Sequence, residues 1–107
     1  MLDLEQIRTS FIIKDYDLSE HAHVERQAEQ ITTKEIEETI LSGEIIESYP
    51  SDARGESVLI GSDIGNRSLH VVCGSRGGRI LIVTVYEPKL PKWLDYKTRS
   101  KQLKDRT

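Results

Sequence analysis

With 107 residues, 36% of them apolar and 31% charged, the chain has the material for one domain around one core, over 1–107. No apolar run comes near the ~20 residues of a transmembrane helix, and the start, MLDLEQIRTS, lacks the basic and apolar regions of a signal peptide. The net charge of −3 hides an asymmetry, since residues 1–88 carry eight basic and sixteen acidic side chains while residues 89–107 carry seven basic and two acidic ones. A basic C-terminal tail can track phosphates, and a solvated helix face with a frayed end is the alternative. The single cysteine, Cys73, lies in an apolar run. An intramolecular disulfide is thereby excluded, and a buried thiol in a reducing, cytoplasmic setting is expected.

Leu4, Ile7 and Phe11, with Ile12, recur at helical spacing and predict a first helix over roughly 3–13. The polar stretch Lys14–Asp17 breaks it. Ser19 is a good N-cap for a second helix near 20–30, with Glu20 and Glu25 early, where the helix dipole favours acids. Thr32 and Glu35 form a capping box for a third helix, whose apolar stripe is Ile36, Ile40 and Leu41. Gly43 is expected to close that helix in a left-handed conformation.

Beyond Gly43 the period changes from helical to alternating. Ile45–Tyr49, Ser57–Ile60, Arg67–Gly74 and Arg79–Tyr86 read as four strands. Loops fall at 51–55, at 63–66 and around Arg76, and Pro88 and Pro91 stop the sheet. Short links between the last three strands predict an antiparallel meander, so the fold class is α+β, with N-terminal helices on a four-stranded antiparallel sheet.

Alternation places Leu69, Val71 and Cys73 with Leu81, Val83 and Val85 on the face packed against the helices. His70 and Val72 then share the other face with Ile80, Ile82, Thr84 and Tyr86. A three- or five-residue hairpin loop sets His70 opposite Ile82 or Thr84, with Tyr86 about a diagonal step away. Arg67, Arg76 and Arg79 lie at the strand ends. An imidazole, a hydroxyl, a phenol and guanidinium groups suit a phosphodiester, with His for proton transfer and Arg for the charge on phosphorus. The bland alternative is a semi-buried histidine among good strand formers. His21 and His23, at i and i+2, point about 200° apart and do not face one metal. His21 sits in the first turn of its helix, where backbone N–H groups attract anions, and Arg26 is a nearby second cation.

Ser19-Glu20-His21-Ala22, Gly43-Glu44-Ile45-Ile46 with Tyr49-Pro50, Leu69-His70-Val71-Val72, and Ile82 to Pro88 with Trp93 together resemble the bacterial domain of unknown function 4258. The resemblance spans about 19–96 and leaves 97–107 as a basic tail. It implies a branch of the RelE/barnase-type fold, in which small RNA-cleaving toxins such as MqsR occur, and a small zinc-finger antitoxin as partner. The family-typical arginine four residues after the helix histidine is replaced by Glu25, with Arg26 following.

The function expected from this resemblance is a toxin-like, metal-independent endoribonuclease acting on RNA, including ribosome-bound mRNA, without a cofactor. His21 and His70 are the expected acid and base, in either order, with Thr84 and Tyr86 beside them. Arg67 and Arg76 would stabilise the phosphorane, and Arg26, Arg79, Lys97 and Arg99 would contact RNA. A non-catalytic module that docks a protein partner through its sheet face or edge is the competing expectation. Trp93 is expected to anchor residues 89–107 over the sheet end, as an appendage outside the core.

Overall fold

Helix boundaries fall where capping chemistry puts them. The computed structural model describes residues 2–50, 55–89, 93 and 95–98. Helix α1 spans Leu4–Ile12, capped by the Asp3 carboxylate on the Gln6 N–H. Helix α2 (Glu20–Ala28) starts at Ser19, whose hydroxyl accepts from the Ala22 N–H, and α3 (Thr33–Ser42) opens on the complete Thr32/Glu35 capping box.

The end of α3 departs from expectation. Gly43 is extended, at φ −86° and ψ −173°, and not left-handed. Its glycine is required by crowding instead: a Cβ there would lie 2.4 Å from the Thr39 carbonyl oxygen and 2.6 Å from that of Gly61. Arg8 supplies the missing cap from α1, donating to the carbonyls of Ile40 at 3.0 Å and Gly43 at 2.8 Å.

The chain is α+β, with three helices and an open five-stranded sheet among the described residues. The strands are β1 (Tyr16–Leu18), β2 (Glu44–Tyr49), β3 (Ser57–Asp63), β4 (Ser68–Arg76) and β5 (Arg79–Tyr86), in the order β1-β5-β4-β3-β2. Four of them form the expected antiparallel meander. The fifth, β1, corrects the four-strand expectation: the stretch between α1 and α2 pairs parallel with β5, Tyr16 opposite Ile80 and Leu18 opposite Ile82. Its acids are accommodated at the edge, where Asp15 and Asp17 both reach Arg79 at 3.3 Å. The sequence-based loop at 51–54 and the stop at Pro91 lie outside the described residues.

The β4–β5 hairpin turns on Gly77-Gly78, both at positive φ, a two-residue connection instead of three or five. A bulge follows. The register runs Cys73↔Ile82 and then Val72↔Thr84, so one extra residue, Val83, enters β5. Beyond the bulge Val85 faces the helices, as the alternation predicts. Before it the faces exchange, so Ile80 and Ile82 are buried in the core while Leu81 and Val83 are only half-buried. This corrects the expected placement of those four residues.

The core lies between the sheet and the helices: Ile7 and Phe11 of α1, Ile36 and Ile40 of α3, and Val58, Val71 and Val85 of the sheet belong to it. Cys73 is fully buried there, and burial pushes its thiol up to about 12, so it stays protonated. Helix α2 lies along β5 beyond the end of β1 and satisfies that edge. Ser19 Oγ donates to the Val83 carbonyl at 2.8 Å, Glu25 accepts from the Val85 N–H at 3.4 Å, and Glu29 accepts from the Glu87 N–H at 3.1 Å. No helix among the described residues is long and apolar enough to cross a membrane.

Candidate functional site

The face of the sheet away from α1 and α3 carries two distinct polar centres. The first is built around His70, which pairs directly with Tyr86, while Val72 pairs with Thr84 two positions along. His70, Thr84 and Tyr86 therefore share one face, as alternation predicts. The structure also encloses His70, which is 0% exposed. Trp93, itself buried, stands edge-on to the imidazole with ring centroids 4.5 Å apart, and Tyr86 makes a second edge contact at 5.2 Å. Nε2 meets the Tyr96 carbonyl, which only accepts, so Nε2 carries the proton; Nδ1 lies 3.1 Å from the Tyr86 hydroxyl and accepts from it. Both ring nitrogens are thus occupied, beneath residues that come later in the chain.

Gly61 completes this arrangement from β3. A Cβ on it would come within 3.0 Å of His70 Cδ2 and 3.1 Å of the Tyr96 carbonyl oxygen. Trp93 covers the sheet as expected, but it is buried and Tyr96 is joined to His70 as well, so these two residues are not a free appendage.

The second centre is an open cleft of about 730 Å³ at the other end of the same face. The N-cap at Ser19 sets His21 in the first turn of α2, on the cleft wall, with its side chain 68% exposed. Its Nε2 lies 3.2 Å from Glu25 Oε1, one helical turn on. The same oxygen accepts from the Thr84 hydroxyl and from the Val85 N–H. Glu25 is thus tied to the sheet on one side and to His21 on the other. Sequence reading took Glu25 as an early acid of its helix and as a departure from the family-typical arginine, not as a partner of His21; the i, i+4 spacing from His21 is the signal that marks it.

Arg76 lines the cleft from the end of β4, and Ser57 and Ser75 add hydroxyls. Arg76 stands directly opposite Arg79 across the hairpin, an unfavourable like-charge pair. Arg79 is compensated by Asp15 and Asp17, while Arg76 has no ion pair among the described residues. Leu81 and Val83, turned outward by the bulge, contribute apolar surface. His70 does not line the cleft. The structure brings His21, Thr84 and Arg76 together, and sets His70 and Tyr86 apart in the enclosed centre.

The remaining arginines are committed elsewhere. Arg67 donates to the Glu29 carbonyl at 3.1 Å and to that of Gln30 at 2.7 Å, and pairs with Glu35 at 2.6 Å and Glu87 at 3.4 Å. Arg26 donates to the Ile31 carbonyl at 3.1 Å. Lys97 is exposed, 5.8 Å from the centre of the Tyr96 ring. Arg99 and the tail after it lie outside the described residues. No group of three or more potential metal ligands occurs among the described residues.

Comparison with known proteins gives one family. Residues 18–87 match the model of a domain of unknown function (DUF4258), so the match takes in α2 through β5 with only the last residue of β1, and stops short of Trp93. Neither the curated proteins nor the solved structures contain a match to this chain.

Proposed function

The chain belongs to the DUF4258 family, and from that premise we propose that it is a toxin-like, metal-independent endoribonuclease working in the open cleft. The observation that carries the reading is the convergence of His21, held by Glu25, with Arg76, an arginine that has no ion pair among the described residues. An imidazole is the side chain suited to proton transfer near neutral pH, and a guanidinium matches a phosphate geometrically and electrically. In the proposed step His21 removes the 2′-hydroxyl proton and the freed oxygen attacks the adjacent phosphorus. The P–O5′ bond breaks and water protonates the leaving oxygen, giving a 2′,3′-cyclic phosphate and a 5′-hydroxyl. Arg76 offsets the charge that builds on phosphorus. Glu25 holds the His21 ring at the cleft wall, and Thr84 holds Glu25. His70 and Tyr86 pass from the chemistry to the support of the sheet, because their polar atoms are spent on each other and on Tyr96.

The competing reading, a binding module, draws on a different feature. β2 is an edge strand of the sheet and its Ile45 is 37% exposed, which suits strand addition by a small protein. The zinc-finger antitoxin implied by the sequence resemblance is the partner proposed for it. The two readings separate in one experiment. Expression in a bacterial host is expected to arrest growth, and purified protein to cleave RNA, in the presence of ribosomes if not without them. His21→Ala and Arg76→Ala should each abolish both effects without lowering the soluble yield. Harmless expression together with intact RNA would remove the nuclease reading and leave the binding module.

A further inference from the structure

We infer that the cleft is a mononucleotide subsite, in which a nucleobase lies on Leu81 and Val83 while the attached phosphate sits at Arg76 and His21. This rests on the phosphodiester chemistry proposed above and adds the part of the substrate that chemistry does not specify.

The inference follows from the bulge. Without Val83 as an extra residue, simple alternation would turn Leu81 toward the core and leave Ile80 and Ile82 to this face. With it, Leu81 and Val83 are half-buried side chains outside the main core, and both line the cleft. A bulge that re-aims apolar side chains toward a cavity makes a floor, and bulges recur beside binding sites for this reason. Gly74, opposite Leu81, keeps the floor low. Its own Cβ would meet the Glu56 carbonyl oxygen at 3.4 Å, the Val83 methyl at 3.5 Å and Ser57 Cβ at 3.8 Å, van der Waals contacts that a Cβ can make, so neither packing nor a left-handed backbone requires glycine there. The glycine is itself buried beside that floor and lines the cleft, so a larger side chain at this position would project into the cleft.

The rim is of opposite character. Arg76 and His21 are cations or potential cations, Ser75 is an exposed hydroxyl donor, and the one carboxylate residue among the lining, Glu56, accepts from the Leu2 N–H. A ligand matching this cleft has a flat apolar part and an anionic part close together. A nucleotide has both. The volume, about 730 Å³, is of the size that small ligands occupy, and a base can lie on this floor only when it is unpaired and unstacked, so the substrate class is single-stranded RNA with one base turned into the cleft.

The test compares binding of inorganic phosphate, adenosine, adenosine 3′-monophosphate and uridine 3′-monophosphate, followed by amide NMR shifts at Gly74, Arg76, Leu81 and Val83. At least one nucleotide should bind ten-fold or more tighter than inorganic phosphate. Gly74→Val projects a side chain into the cleft beside the floor and should bring nucleotide affinity to within about two-fold of phosphate. Leu81→Ser removes the floor itself and should do the same, which keeps the test decisive if the first variant fails to fold. Equal affinity for nucleotide and phosphate in the unaltered chain would overturn the inference. So would a ten-fold preference that survives both substitutions in folded protein. Nucleotide binding without RNA cleavage would retain the subsite and remove the nuclease reading; cleavage without a base contribution would do the reverse.

Discussion

Two histidines of one sequence carry opposite expectations once their surroundings are known. His70 is enclosed, hydrogen-bonded at both nitrogens and wedged between Trp93 and Tyr86. His70→Ala leaves a cavity and removes the hydrogen bonds to the Tyr86 hydroxyl and the Tyr96 carbonyl, at an expected cost of about 3 kcal/mol in urea unfolding. His21→Ala removes an exposed side chain and should change stability by less than about 0.5 kcal/mol. A loss of stability in the second variant similar to that in the first would show His21 to be structural. Strand alternation sufficed to place His70, Thr84 and Tyr86 on one face, because register near the end of β5 follows the simple pattern. It could not show the burial of His70, because the cover comes from 26 positions further on, at Tyr96. Glycine identities mislead in a similar way. Gly43 follows a helix, the position where a left-handed glycine is usual, yet its backbone is extended and its neighbours are crowded. Gly43→Ala should therefore destabilise by roughly 2 kcal/mol or more through backbone displacement, where a left-handed site would lose through φ strain.

At the scale of elements, capping residues were legible and pairing partners were not. Ser19, Thr32 and Glu35 name their helices because a cap acts within four residues. β1 escaped because three residues, one of them Asp17, show no period, and its pairing partner is β5, far along the chain. The β5 bulge escaped for a related reason, since an alternating run reads the same with or without one extra residue. The most connected junction between elements is Arg67, which ties the α2–α3 link and α3 to the sheet. The Arg67 guanidinium holds the Glu35 carboxyl well below its ordinary 4.5, at about 2. A carboxylate depressed in the folded state stabilises fully above its unfolded value and loses that contribution as pH falls toward the folded one. The pair should thus contribute of the order of 2 kcal/mol above about pH 5, after allowance for solvent screening, and progressively less down to about pH 2. Urea midpoints measured across that window should fall, and Glu35→Gln should be less stable at neutral pH and show a flatter profile. A profile as steep in the variant would assign the acid sensitivity to other groups.

For the whole molecule the decisive asymmetry is between the two faces of one sheet. Helices α1 and α3 and the main core cover one face; on the other, Trp93 and Tyr96 cover the His70 end and the cleft opens at the Leu81 end. Charge alone presents the C-terminal stretch as separate from the body, since seven basic side chains follow an acidic domain. The contacts of Trp93 and Tyr96 give a different division, in which these two residues are bound to the sheet beside His70 and Gly61. Trp93 is the only tryptophan, so its fluorescence reports this cover alone, while far-UV circular dichroism reports the helices and sheet. If the cover belongs to the cooperative unit, both signals should melt at the same temperature, as coincident transitions require of a two-state domain. Removing the pin should separate them. In His70→Ala the fluorescence is expected to shift to the red at a temperature below the dichroism transition, because the segment loses its hydrogen bond and its ring contact together. Gly61→Ala should act in the same direction through the crowding at His70 and Tyr96, with a smaller displacement. Should the two signals already part in the unaltered chain, the segment would be the loosely held appendage that its charge suggests. Coincidence that persists in both variants would place its anchorage in Trp93 packing alone, without help from the histidine.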